Sequence, residues 1–173
     1  MLGSNAAPVG PASEFLVIDS EPGHFVFGAW KNVFVAVWKA QATGNAVERL
    51  ASAIESMAAM RPGKRSNVHV IASGAALPTT EARAGFVKLM NRNREALACV
   101  AVVIGGVGFW SSALWSAMTA LRMLAPRSFD FRLVGTLEEL AAWLPAAHES
   151  KTGVRIDPEE LRAVLRAAPA TER

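Results

Sequence analysis

The feature that most constrains the fold is a run of residues without charge, from position 96 to position 121. Its length would suffice for a membrane-spanning helix, which needs about 20 apolar residues. However, its first part, residues 97–104, is short and rich in β-branched residues, as in a strand buried on both faces. Three glycines then interrupt the run, and serines follow. We therefore predict a buried strand, a glycine turn and a helix over Phe109–Leu124 rather than a membrane span.

The segments around this run alternate between strand and helix patterns. Three strand patterns come first, followed by a helix that ends near Met60, by three strand–helix units and by a short helix that Asp157 caps. The predicted strands are residues 15–19, 25–30, 33–40, 67–72, 98–104 and 129–134. This order predicts an α/β fold, with a mixed sheet that begins as an antiparallel meander, helices packed on it and a short C-terminal helix.

Length and composition bound the class of protein. The chain has 173 residues, of which 51% are hydrophobic, so we expect one domain at residues 15–145. Residues 1–14 are predicted to be a flexible leader, and residues 146–173 a linker and an amphipathic helix. The net charge of +3 is too small and too scattered for a nucleic-acid binder. A single cysteine, Cys99, fits a reducing compartment, so we expect a cytoplasmic protein.

Two segments carry a family resemblance. Residues 68–74 (VHVIASG) are similar to a strand that ends in Asp-Leu-Ser-Gly, and residues 131–144 (FRLVGTLEELAAWL) are similar to a final strand and helix. With the element order, these segments resemble the STAS domain of anti-anti-sigma-factor regulators, especially its bacterial STAS/SEC14-like relatives. The resemblance covers residues 15–144. It implies a STAS-like fold and a regulatory role without enzymatic activity.

The resemblance also points to a possible modification site. Regulators of this family that are switched by phosphorylation carry Asp-Ser-Ser-Gly where this chain has Thr79-Thr80-Glu81-Ala82. Thr80 stands at the position of the phosphorylated serine, and Thr79 is the neighbouring candidate. A helix N-terminus stabilises a phosphate, whereas the adjacent Glu81 opposes its charge. The alternative is that Thr79 and Thr80 only cap the helix, and capping preferences favour it.

The sequence shows little sign of chemistry. The three histidines lack metal-ligand spacing, and Cys99 falls within an apolar strand, where burial disfavours a reactive thiolate. The glycine turn lacks the complete pattern of a dinucleotide fingerprint or a P-loop. We therefore predict no catalytic residues, no metal site and no cofactor.

The helix after the glycine turn is apolar on nearly all sides, which indicates burial on both faces. Either the last helix covers it, or it meets a protein partner, a second copy or an apolar ligand. A membrane surface is an alternative, with Arg122 and Arg127 at anionic headgroups; an enzyme or binder that holds a phosphorylated small molecule at the glycine turn is another. The predicted contact residues are Ser73, Gly74, Gly105, Gly106, Gly108, Phe109, Trp110, Trp115 and Arg122.

Overall fold

The structure, a computed structural model, describes residues 15–106 and 108–170. These residues form a six-stranded sheet with five α-helices packed on it, which confirms the predicted mixed α/β fold. The predicted leader, residues 1–14, lies outside the described residues. The strands are β1 (Leu16–Glu21), β2 (Phe25–Trp30), β3 (Val33–Trp38), β4 (Arg65–Ile71), β5 (Leu97–Ile104) and β6 (Asp130–Val134). The helices are α1 (Gly44–Met60), α2 (Thr80–Asn93), α3 (Phe109–Leu124), α4 (Leu137–Thr152) and α5 (Pro158–Ala167).

The strands lie in the sheet in the same order as in the chain, from β1 to β6. The pairs β1–β2 and β2–β3 are antiparallel, and β3 to β6 run parallel. Each parallel step advances one position in the same direction, so right-handed crossovers place α1, α2 and α3 on one face of the sheet. The helices α4 and α5 pack on the opposite face.

The strand β5 is the buried strand that the uncharged run predicts, and all eight of its residues are buried. Val100, Val102 and Ile104 pack towards α2 and α3, whereas Cys99 and Ala101 belong to the core under α4 and α5. Both faces are apolar because helices cover both. In the part of the chain that the structure describes, no helix has the length and apolar character needed to cross a membrane.

The C-terminal helices belong to the same core as the sheet. The predicted boundary after residue 145 falls inside α4, which continues through Pro145 to Thr152. Leu144 and His148, one helical turn apart, are both buried, so packing outweighs the hydrogen bond that the proline removes. In α5, Leu161 and Val164 are buried in the core of the sheet.

The helix α3 has the predicted bounds but a narrower buried face than the sequence suggests. Only Leu114, Met118 and Leu121 are buried, whereas Leu124, also apolar, is 64% exposed. The alternative in which the last helix covers α3 is wrong, because α5 lies on the other face of the sheet. The outer side of α3 is therefore open in the described chain.

Candidate functional site

A cavity lies between the sheet and the helices α2 and α3. Its interior has a volume of about 60 Å³, which becomes about 750 Å³ when the open space at its mouth is included. The cavity is therefore narrow. Its walls come from β5, α2, α3 and the loop after β4, and they include Val100, Val102, Phe86, Met90, Leu114, Met118, Leu121, Ala75 and Pro78.

Polar side chains on β4 interrupt this apolar lining. Arg65, Asn67 and His69 occupy alternate positions, and alternate side chains of a strand share one face. Asn67 and His69 line the cavity, and Arg65 lies beside it, where its Nη2 donates to Oδ1 of Asn93 at 2.8 Å. A strand between two other parallel strands is expected to be apolar on both faces. Three consecutive polar positions on one face are therefore a departure that packing alone does not explain.

His69 is held as a neutral ring. Nε1 of Trp38 donates to Nδ1 of His69 at 3.2 Å, and the two rings lie parallel with centroids 6.4 Å apart. The ring of Phe86 meets the imidazole edge-on at 6.0 Å. Burial lowers the pKa of His69 to about 4, because the charged form loses its hydration. With Nδ1 as the acceptor, the proton is assigned to Nε2, which can act as a donor.

Asn67 supplies an unsatisfied acceptor in the cavity wall. The residue is 5% exposed, and its Oδ1 has no hydrogen-bond partner among the described residues. Nε of Arg65, which is 4% exposed, is a buried donor without a partner, and burial lowers the pKa of this guanidinium. A buried polar atom without a partner costs on the order of 1–3 kcal/mol. Native proteins contain few such atoms, so the unpaired Oδ1 of Asn67 in the cavity wall requires a specific explanation.

Four of the predicted contact residues meet at the carboxyl ends of β4 and β5. Ser73, Gly74, Gly105 and Gly106 are exposed, and Oγ of Ser73 is 3.9 Å from the place that a Cβ on Gly106 would take. Gly106 has a φ of 91°, and Gly108, which precedes α3, has a φ of 102°; both values favour glycine.

The remaining predicted contact residues spread along α3. Phe109 is 92% exposed, and Trp110 and Trp115 are partly buried against the core below the helix. Arg122 lies about 20 Å from Phe109 along the helix, given a rise of about 1.5 Å per residue. None of the nine predicted contact residues lines the cavity. The prediction identified the outer side of α3, whereas the cavity lies under its inner side.

The two threonines at the start of α2 differ in their contacts. Oγ1 of Thr79 accepts from the backbone N–H of Ala82 at 3.1 Å, which confirms Thr79 as the helix cap. Thr80 is exposed, and its Oγ1 accepts from Nη2 of Arg83 at 3.2 Å. A hydrogen bond to its own backbone N–H lowers the pKa of Glu81, so a charge stands beside Thr80. Phosphorylation of Thr80 or Thr79 stays a prediction.

The sequence prediction does not include the residues of the cavity wall, although the sequence contains a signal for them. The predicted strand begins at residue 67, whereas β4 begins at Arg65. With that start, the alternation of Arg65, Asn67 and His69 within a central strand is visible. In residues 15–106 and 108–170 no three histidine, cysteine or acidic side chains are grouped as metal ligands. Burial raises the pKa of the Cys99 thiol, which lies in the core.

Comparisons with known proteins give no family. No family model and no curated protein matches the chain. Among solved structures, the chain is similar to the β subunit of P. aeruginosa geranyl-CoA carboxylase, with 17% identity and a TM-score of 0.44. The match covers 91% of this chain, which spans only 32% of that subunit. A likeness at this level carries no functional argument.

Proposed function

We propose that this chain is a non-enzymatic binding domain that holds a small apolar ligand between β4, α2 and α3. The observation that carries the proposal is the unpaired Oδ1 of Asn67 in the wall of a mostly apolar cavity, which the polar side chains of His69 and Asn93 also line. A few placed polar groups in an apolar cleft are typical of ligand sites.

The lining also defines the chemistry of the ligand. No charged side chain of the described residues lines the cavity, and His69 is neutral at pH 7 because burial lowers its pKa to about 4. An uncharged ligand is therefore favoured, since an ion would lose its hydration without gaining a counter-ion. A ligand N–H or O–H would donate to Oδ1 of Asn67, and a ligand oxygen would accept from Nε2 of His69.

A neutral fluorescent amine tests the proposal. N-phenyl-1-naphthylamine is flat, apolar and carries one N–H donor, and we expect its emission to rise with the chain and to saturate. Ala76 is exposed and lines the cavity, so Ala76→Trp should block the entrance and abolish saturable binding. Ala84→Trp is the matched control, because Ala84 is exposed on α2 outside the lining. Equal binding by the two variants would refute the proposal.

A further inference from the structure

A second concave surface lies at the free edge of the sheet. It is an open groove along β6, between the C-terminal end of α3 and Trp143 of α4, with a volume of about 710 Å³. β6 pairs with β5 on one side, and no strand of the described residues pairs with its other side. An edge strand presents backbone N–H and C=O groups that another strand can pair with.

Three arginines give this groove its charge. Arg122, Arg127 and Arg132 line it, are exposed, and form no ion pair with any carboxylate of the described residues. The guanidinium of Arg132 lies 5.4 Å from the centre of the Trp143 ring. Asp130, the acidic residue of the groove, is already paired, since Nζ of Lys151 lies 3.2 Å from its Oδ2. The lining of the groove therefore carries a net positive charge.

We infer that the β6 edge and its three arginines bind an extended acidic segment of a partner protein, which adds a strand to the sheet. Addition of a strand uses main-chain hydrogen bonds for affinity and alternate side chains for specificity. Carboxylates on the segment would meet the guanidinium groups in charge-assisted, bidentate hydrogen bonds. Apolar side chains between them would contact Met123 and Leu133, which also line the groove.

Other occupants fit the groove less well. A second copy of this chain would bring three more arginines to the same edge, and like charges repel. A nucleic acid has no alternating N–H and C=O groups with which to pair β6. An anionic membrane favours a convex or flat apolar surface, whereas this surface is concave.

A labelled peptide tests the inference directly. The probe is a fluorescein peptide in which glutamate alternates with valine and which is long enough to cover the five residues of β6. We expect its anisotropy to rise with the chain, its affinity to fall as salt is added, and the amides of β6 to become protected from hydrogen exchange. Arg127→Glu should weaken binding by about tenfold or more, as expected for reversal of an interface charge.

Matched controls make the test decisive. Arg132→Glu repeats the charge reversal within β6 and should weaken binding in the same way. Because Arg132→Glu also removes the contact with Trp143 and could impair folding, Arg127→Glu provides the test that does not depend on that contact. Arg155→Glu should leave affinity unchanged, because Arg155 is exposed outside the groove. A lysine–valine peptide that binds as well as the acidic one would overturn the inference. So would arginine-dependent binding to phosphatidylserine vesicles without peptide binding, or arginine-dependent dimerisation in light scattering.

Discussion

The hydroxyl of Ser66 lies 2.7 Å from Nδ1 of His148, inside the core between the sheet and α4. On the other side of the ring, Nε2 of His148 lies 2.8 Å from Oδ1 of Asn32. Because Oδ1 can only accept, Nε2 carries the proton and Nδ1 accepts from Ser66. Burial lowers the pKa of His148 to about 4. The ring thus connects α4 to the start of β4 and to the turn between β2 and β3 as a neutral group.

The first prediction is that acid destabilises the fold through two histidines. His148 and His69 both have a pKa of about 4 in the folded chain, against an ordinary value of 6.5. Between these values the unfolded chain binds more protons, so stability falls as the pH drops. From pH 7.5 to pH 5.5 we expect a loss of about 1 kcal/mol for each ring, measured by urea unfolding.

Two variants separate these rings from other acid effects. His148→Gln should lower stability at every pH and halve the loss between pH 7.5 and pH 5.5. His24 is exposed in the turn between β1 and β2, so His24→Gln should leave the loss unchanged. An unaltered pH dependence in His148→Gln would contradict the neutral, buried ring.

The second prediction concerns the asparagines at the cavity. Replacing Asn67 by leucine removes an unpaired buried acceptor, so we expect stability to rise by about 1 kcal/mol. Replacing Asn93 by leucine removes the acceptor of the buried Arg65 guanidinium, so stability should fall by about 2 kcal/mol or more. Urea unfolding measures both. A loss of stability in Asn67→Leu comparable to that in Asn93→Leu would mean that Asn67 is satisfied within the fold.

The third prediction distinguishes the two threonines of α2. Thr79→Ala removes the side-chain cap to the N–H of Ala82 and should lower stability by about 1 kcal/mol. Thr80→Ala changes an exposed first residue of the helix and should alter stability by less than about 0.5 kcal/mol. Thermal unfolding of both variants gives the comparison. Equal losses would assign the capping to both residues.

The fourth prediction tests the close contact of β1 with β2. A Cβ on Gly28 would lie 2.6 Å from the backbone oxygen of Leu16 and against the ring of Phe15. Backbone cannot move aside cheaply, so Gly28→Ala should destabilise the chain by about 1–3 kcal/mol. Gly105→Ala is the control, because its nearest neighbour, the backbone oxygen of Gly135, is 4.0 Å away. Urea unfolding followed by circular dichroism should show a lower free energy of unfolding for Gly28→Ala and an unchanged one for Gly105→Ala.

Much of the fold follows from local pattern. The uncharged run and its glycines predict β5 and α3, and α3 has the predicted bounds of Phe109–Leu124. The pairing of strands in chain order agrees with the predicted antiparallel meander and parallel units. These features depend on periodicity, turn residues and handedness, which act over short stretches of chain.

The cavity could not be predicted in the same way. Its polar wall combines Trp38, His69 and Asn93, which come from β3, β4 and α2 and lie more than 20 residues apart. Which helix covers which face of the sheet depends on packing between distant segments. One predicted alternative places the last helix against α3, whereas α5 packs on the opposite face of the sheet. Arg65 lies outside the predicted strand because residues 61–65, which include a proline and a glycine, have the pattern of a basic turn that ends the preceding helix.

The order of the strands has a consequence for biosynthesis. A chain that adds strands sequentially can build its sheet from the N-terminus as it leaves the ribosome, and α1, α2 and α3 cover one side during that growth. Among the described residues, the reverse side, with Trp30, Val35 and Val68, is covered by α4 and α5, which come late in the chain. A nascent chain halted before position 137 would therefore expose a broad apolar surface. Such a chain would aggregate unless translation is completed or a chaperone binds it.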